Sequence, residues 1–159
     1  MQIQARNDFA ADAFATHRML TDPAFLTEVC VASGDVSYRV DAVPEHSAVE
    51  RRMVTPSVVK KFLGDTLTLT QDVRWHVASA NGARTGTLSL VVKGMPAKAD
   101  VRIDLRPGGR GTIVDFNGDF TIKVPFVGSK LEGQAAPALL AGFGVQQQVG
   151  DTWLAESAG

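Results

Sequence analysis

The order of hydrophobic and polar residues predicts a chain that begins with one short strand and two short helices. Residues 2–8 have the length of a strand, and either Asp8 or Asp12 is placed to cap a helix over roughly residues 10–20. Pro23 then stands where a first-turn helical proline is favoured, ahead of a second short apolar stripe.

From Asp35 onward the period of the pattern changes from helical to alternating. The clearest example is 97–106, where Ala, Val, Ile and Leu occupy one face and Lys, Asp and Arg the other. The segment 46–55 alternates less cleanly, because Arg51 shares a face with Val49. In total the pattern predicts six antiparallel strands after the two helices.

A hairpin is predicted around Asn81-Gly82. The flanking segments 67–77 and 88–92 both alternate, and an Asn-Gly pair favours a type I′ turn.

The last part of the chain has helical periodicity. Ser129 and Glu132 have the spacing of a capping box, and the apolar positions that follow predict a helix of up to about 25 residues. Its inner stripe contains the small residues Ala135, Ala138 and Gly142. A curved sheet wrapped round such a helix cannot be packed tightly along its length, so an internal cavity is expected.

The predicted fold is therefore α+β: a curved antiparallel sheet of about seven strands around a long C-terminal helix, in one domain over residues 1–159. Inward-facing positions on the strands and helix predict the lining of a ligand cavity. These candidate residues are Tyr38, Val49, Arg51, Met53, Leu69, Gln71, Val73, Trp75, Leu88, Leu90, Val101, Ile103, Phe116, Phe120, Leu131, Ala135, Ala138 and Gly142.

Composition is that of an ordinary globular protein, with 45% hydrophobic and 21% charged residues. Nothing at the start resembles a secretory leader and there is one cysteine, so we expect a cytoplasmic protein without stable membrane insertion. Residues 51–110 carry a net charge of +7. Such a basic sheet face is suited to phosphate or anionic lipid head groups, or simply serves as a solvated surface.

Strong catalytic and metal-binding motifs are absent from the sequence. The three histidines, His17, His46 and His76, have no partner at ligand or triad spacing, and no G-x-S-x-G, H-E-x-x-H or C-x-x-C occurs. We therefore predict no metal, no cofactor and no nucleic-acid partner. Cys30 is expected to be a small buried hydrophobic residue.

Arg51 and Gln71 are the polar residues that alternation places on otherwise apolar inner faces. A buried guanidinium requires either a carboxylate from the protein or an anionic group on a ligand. The alternative is a shift in strand register that exposes Arg51.

The sequence resembles the START-related, helix-grip superfamily known as SRPBCC, and more narrowly an actinobacterial family of uncharacterised proteins within it. The resemblance rests on residues 56–64, on Val73-Arg74-Trp75, on residues 123–132 and on Trp153-Leu154. It implies a deep apolar pocket between sheet and long helix that opens near the N-terminal end of the helix. Lipid carriers, pollen-allergen-like proteins and polyketide cyclases share that fold, so the fold leaves the activity open.

Three functions remain open at this point. The first is non-catalytic binding of an apolar or amphipathic small molecule, such as a lipid, isoprenoid or polyketide. The second is a cyclase or dehydratase in which Arg51, Gln71, Tyr38 or His17 orients a substrate carbonyl. The third is a protein-interaction module whose partner the sequence does not identify.

Overall fold

The computed structural model describes residues 1–158. The chain forms one strand, two short helices, six more strands and a long helix, in the order that the sequence predicts. The elements are β1 (Gln2–Phe9), α1 (Ala13–Leu20), α2 (Pro23–Ala32), β2 (Ser37–Val43), β3 (His46–Val54), a 3₁₀ turn (Ser57–Val59), α3 (Lys60–Leu63), β4 (Thr66–Trp75), β5 (Arg84–Val92), β6 (Ala97–Gly108), β7 (Gly111–Ile122) and α4 (Gly128–Ala158).

All seven strands belong to one antiparallel sheet with the order β1-β7-β6-β5-β4-β3-β2. Each strand from β2 to β7 therefore lies beside the next one along the chain, and β1 closes the far edge against β7. The predicted α+β fold, with a curved sheet around the C-terminal helix, is confirmed. Among the described residues, no helix is both long and apolar enough to cross a membrane.

The two short helices begin at aspartate caps. The carboxylate of Asp12 accepts a hydrogen bond from the Ala15 amide (2.8 Å), and that of Asp22 accepts one from the Ala24 amide (2.8 Å). Pro23 is the first residue of α2, where a missing amide hydrogen costs nothing.

The core lies between the sheet and the helices, and it is concentrated on β1, β6 and β7. Phe9, Phe25, Leu105 and Val114 are completely buried there. Helix α4 packs on β1 and β7 and against α2. The middle strands β3, β4 and β5 are consequently left without a closely packed helix above them.

The connection between β4 and β5 differs from the predicted type I′ hairpin. Strand β4 ends at Trp75 and β5 begins at Arg84, so the loop between them has eight residues rather than two. Asn81 does not have the positive φ that this turn requires. Its side chain instead accepts hydrogen bonds from the Ser79 hydroxyl (2.7 Å) and the Ala83 amide (3.0 Å).

The start of α4 also differs from the prediction. The helix begins at Gly128, so Ser129 already lies inside it and is not its cap. Glu132 accepts a hydrogen bond from the Ile122 amide (3.0 Å), which ties the helix to the end of β7 and lowers the pKa of the Glu132 carboxyl. With 31 residues the helix is longer than predicted, and Pro137 lies within it.

Candidate functional site

A cavity of about 410 Å³ lies between the inner face of β3, β4 and β5 and the helices. Its roof is formed by α2, by the segment 57–63 and by the middle of α4. The cavity arises because α4 packs closely on the opposite half of the sheet and presents small side chains, Ala135, Ala138 and Gly142, towards the uncovered half.

Most of the candidate residues lie on the wall of this cavity. Alternation in a strand places every second side chain on the same face, and helical spacing does the equivalent on α4, which is why the sequence identifies these residues. The lining residues of the predicted set are Val49, Arg51, Met53, Leu69, Gln71, Val73, Trp75, Leu88, Leu90, Ile103, Phe116, Phe120, Ala135, Ala138 and Gly142.

Three candidates lie elsewhere. Tyr38 pairs with Arg51 in the ladder but belongs to the edge strand β2, where it is 43% exposed and does not line the cavity. Val101 is buried in the packed core between Leu88 and Gly118 of the neighbouring strands. Leu131 is buried in the first turns of α4, near the end of β7 and away from the cavity.

A polar cluster interrupts the apolar wall. Arg51 is only 7% exposed, and its Nε and Nη2 donate to the two carboxylate oxygens of Asp35 at 2.6 and 2.9 Å. Its Nη1 donates to Oε1 of Gln71 at 3.0 Å. The Asp35 side chain is completely buried. Arg51 therefore faces inward in the observed register, with a carboxylate of the protein as its counterion.

This cluster keeps hydrogen-bonding capacity that the protein does not use. A guanidinium has five N–H donors, and Asp35 and Gln71 accept from three of them. Two N–H groups of Arg51 have no protein acceptor within residues 1–158. The charge of Arg51 is matched while part of its donor capacity remains free.

The sequence pattern does not identify Asp35 as the partner of Arg51. Asp35 precedes β2, and the register that pairs Ser37 with Arg52 brings it to the same end of the hairpin as Arg51. The turn at Pro44 was the available signal, since fixing that turn fixes the register of the whole hairpin.

Although Ala135, Ala138 and Gly142 of α4 were predicted, other helical and loop residues of the cavity wall were not. Those side chains come from elements whose packing is not encoded by strand alternation. They include Leu20, Leu26, Val29, Ser33, Val59, Leu63, Leu139, Phe143, Val145 and Gln146.

The cavity opens towards one end of the sheet. Several lining residues are themselves exposed, namely Gly34 before β2, Val54 at the end of β3, and Ala138 and Ala141 on α4. The opening is therefore bordered by the turn between α2 and β2, the segment after β3, and α4.

His17 lies outside the cavity, behind the wall residue Trp75. The two rings meet edge to face with centroids 5.1 Å apart, and Nη1 of Arg84 lies 3.3 Å from His17 Nε2. Burial, followed by the nearby Arg84 charge, lowers the pKa of His17 to about 4. His17 is thus a buried neutral residue without access to a ligand in the cavity.

Cys30 is buried on α2 close to Asp35 and Arg51. Burial raises the pKa of its thiol to about 11, so the thiolate is scarce at neutral pH. Across residues 1–158, no group of three or more His, Cys, Asp or Glu side chains is arranged to hold a metal ion.

The profile of one protein family matches almost the whole chain. That family is described as "Protein of unknown function (DUF2505)", and the match covers residues 4–154. No curated protein sequence matches the chain significantly.

Solved structures share the fold at low sequence identity. TTHA0849 from Thermus thermophilus has 11% identity and a TM-score of 0.69 over 100% of both chains. The di-domain ARO/CYC protein StfQ of the steffimycin biosynthetic pathway has 12% identity and a TM-score of 0.67, over 99% of this chain and 52% of StfQ. Ara h 8.0201 has 10% identity and a TM-score of 0.52, over 94% of this chain and 97% of that one. These similarities identify the helix-grip fold.

Proposed function

We propose that this chain, which belongs to the DUF2505 family, binds an apolar or amphipathic small molecule in its internal cavity without transforming it. The observation that carries the proposal is the cavity itself. Its volume of about 410 Å³ lies within the range of roughly 300–1,000 Å³ typical of small-molecule sites. Its wall is mostly apolar, with Asp35, Arg51, Gln71, Lys98 and Gln146 among its polar residues, as expected of a site for a lipid, an isoprenoid or a polyketide-like compound.

The polar cluster favours a ligand with a neutral head group. Asp35 already neutralises Arg51, so a ligand carboxylate would bring a second negative charge to a pair whose charges cancel. A hydroxyl or carbonyl oxygen would accept the unused N–H groups of Arg51 without that repulsion. We therefore expect alcohols and ketones to bind more tightly than acids of the same chain length.

The proposal is tested by thermal unfolding and native mass spectrometry with a long-chain alcohol, a methyl ketone and a carboxylic acid of equal length. A ligand at a concentration of 100 times its Kd stabilises the native state by about 2.7 kcal/mol. The expected order of stabilisation is alcohol and ketone above acid. If none of these, and no compound from a panel of isoprenoids and aromatic polyketides, changes the melting temperature, the proposal is wrong.

A matched pair of variants on α4 shows whether binding occurs in the cavity. Ala138→Leu adds side-chain volume at the wall, whereas Ala155→Leu makes the same change at an exposed position of the same helix outside it. We expect Ala138→Leu to abolish ligand binding while leaving the fold intact, because the new side chain enters open space. Ala155→Leu should bind like the wild type. Equal binding by the two variants would place the ligand elsewhere.

A second candidate is a cyclase or dehydratase that acts in the same cavity. Arg51 and Gln71 both line the cavity and are hydrogen-bonded to each other, so both can donate hydrogen bonds to the same substrate oxygen. Similarity to StfQ, an ARO/CYC protein, supports this reading at the level of fold. Tyr38 and His17 no longer belong to it, since neither lines the cavity. Conversion of a bound polyketide, lost in Gln71→Leu, would favour the enzyme over the binding protein.

A further inference from the structure

Three loops meet at the end of the sheet where the cavity opens. Antiparallel pairing of the strands places residues 55–65, 93–96 and 123–127 at the same end. The Lys123 amide donates to the Pro96 carbonyl oxygen (2.8 Å), and the Lys93 amide donates to the Thr68 carbonyl oxygen (2.8 Å). The first bond joins the third loop to the second, and the second bond ties residue 93 to β4. We call the three loops together the loop end.

Large apolar side chains are exposed at and beside the loop end. Val54 is 66% exposed just before the first loop, Val58 and Phe62 are about half exposed within it, and Phe126 is fully exposed in the third. Phe126 also has a φ of 69°, a backbone conformation that non-glycine residues seldom adopt. A cluster of exposed apolar residues marks an interaction surface more strongly than scattered single ones do.

The same loops are basic. Lys60, Lys61, Lys93 and Lys123 are all exposed, and Asp65 is the single carboxylate in the three loop sequences. Asp65 lies 3.4 Å from the Lys60 ammonium group and offsets part of that charge. The loop end thus combines a net positive charge with protruding apolar side chains.

We propose that the loop end docks reversibly on the surface of an anionic phospholipid bilayer. Lysines near such a surface are attracted by its negative potential, while aromatic side chains favour the interfacial region. Because Val54 borders both the loop end and the cavity opening, a docked molecule would face the bilayer with its cavity mouth. This surface is defined without reference to the ligand, so docking is measurable even if the binding proposal fails.

The test is co-sedimentation with vesicles of phosphatidylcholine alone and of phosphatidylcholine mixed with phosphatidylserine. We expect the wild type to bind the mixed vesicles, to bind the neutral ones much less, and to be released as salt is raised. Lys60→Gln combined with Lys61→Gln should lower the partition coefficient on the order of tenfold, given the contribution of each lysine near an anionic surface. Phe62→Ser combined with Phe126→Ser should lower it by a similar factor.

Matched controls lie on other surfaces. Val77→Ser removes an apolar side chain that is 94% exposed at the opposite end of the sheet, and Arg102→Gln removes a cation from the outer face. Both should sediment like the wild type. All these positions are exposed, and unchanged circular dichroism and urea midpoints would establish that the variants are folded.

A fluorescent variant tests docking by a signal that appears on binding, whereas the lysine and phenylalanine variants above are expected to bind less. Phe126→Trp adds a third tryptophan, at the loop end, and the emission of this variant should shift to shorter wavelength on addition of mixed vesicles by more than that of the wild type, which has only Trp75 and Trp153. Failure of the wild type to bind mixed vesicles would overturn the proposal. So would an equal loss of binding in Arg102→Gln, which would assign the contact to the outer face of the sheet.

Discussion

Removing the Asp35 carboxylate is expected to be among the most destabilising changes in the cavity wall. Asp35→Leu leaves the Arg51 guanidinium in a site where it is nearly inaccessible to water, without the two short hydrogen bonds at 2.6 and 2.9 Å that compensate it. Breaking one side of a buried ion pair typically costs about 3–5 kcal/mol. The cavity is open near Asp35, so water can partly solvate the freed charge, and we expect about 3 kcal/mol.

Urea unfolding provides the measurement. With a slope of about 2 kcal/mol per molar urea, a loss of about 3 kcal/mol lowers the unfolding midpoint by roughly 1.5 M. Arg51→Met should also destabilise, because it buries the Asp35 carboxylate without a partner. The double variant Asp35→Leu with Arg51→Met removes both charges and should be within about 1 kcal/mol of the wild type, or more stable.

The double-mutant cycle separates a specific pair from two independent residues. If the effects of the two single changes simply add, Asp35 and Arg51 do not stabilise the fold as a pair. A change of less than about 0.5 kcal/mol in Asp35→Leu alone would refute it as well, since it would mean that the charge of Arg51 is not buried.

Three further predictions concern buried or tightly packed positions. Burial lowers the pKa of His17 from 6.5 to about 4, so the unfolded state binds a proton at this residue before the native state does as the pH falls. The free energy of unfolding of the wild type should therefore fall by up to about 3 kcal/mol between pH 6.5 and 4, relative to His17→Gln, and then level off. Parallel pH profiles of urea midpoints for the two proteins would contradict this. Cys30 should be unreactive to a disulfide reagent at pH 8 until urea unfolds the chain, because its pKa is raised to about 11 and it is buried; rapid labelling of native protein would show otherwise. Gly118→Ala should cost about 1–3 kcal/mol, since its new methyl group would meet the Asp100 carbonyl oxygen, whereas Gly133→Ala has open space on α4 and should stabilise by roughly 0.5–1 kcal/mol; equal urea midpoints would refute the contrast.

Strand β6 was predictable because it buries one face only. Every second residue of β6 from Ala97 to Leu105 is buried and the residues between them are exposed or half-buried, as the sequence pattern predicts. The long helix was predictable from its apolar period, but its start was not. Ser129 and Glu132 have the spacing of a capping box, yet Glu132 bonds the end of β7, a tertiary contact that local sequence does not encode.

The predicted type I′ turn between β4 and β5 was wrong for a related reason. An Asn-Gly pair favours a tight turn only where the strands continue up to it. Here both strands stop early, and Gly82 packs against Ala13 and Phe14 of α1. The loop that contacts α1 is therefore longer than the two-residue turn that an Asn-Gly pair favours.

The cavity wall was predictable on the strands and at the small residues of α4, and not at the other helical and loop positions. Strand alternation alone places Leu69, Gln71 and Val73 on the inner face of β4. Tyr38 does not line the cavity because it is exposed on the edge strand β2, and Val101 does not because it is buried in the packed core. To predict that Asp35 is the partner of Arg51, one must know the register of β2 against β3, which the sequence pattern does not provide.

The inner face of β4 links stability to binding. Leu67, Leu69, Val73 and Trp75 face the interior but are only partly buried, because no side chain of α4 fills the space above them. Each square ångström of apolar surface left uncovered forgoes about 25 cal/mol of burial free energy. A ligand that covers these side chains recovers that free energy without rearranging the sheet. The same small residues of α4 that weaken the empty fold therefore make ligand binding favourable, so filling the cavity with protein atoms should raise stability and remove binding together.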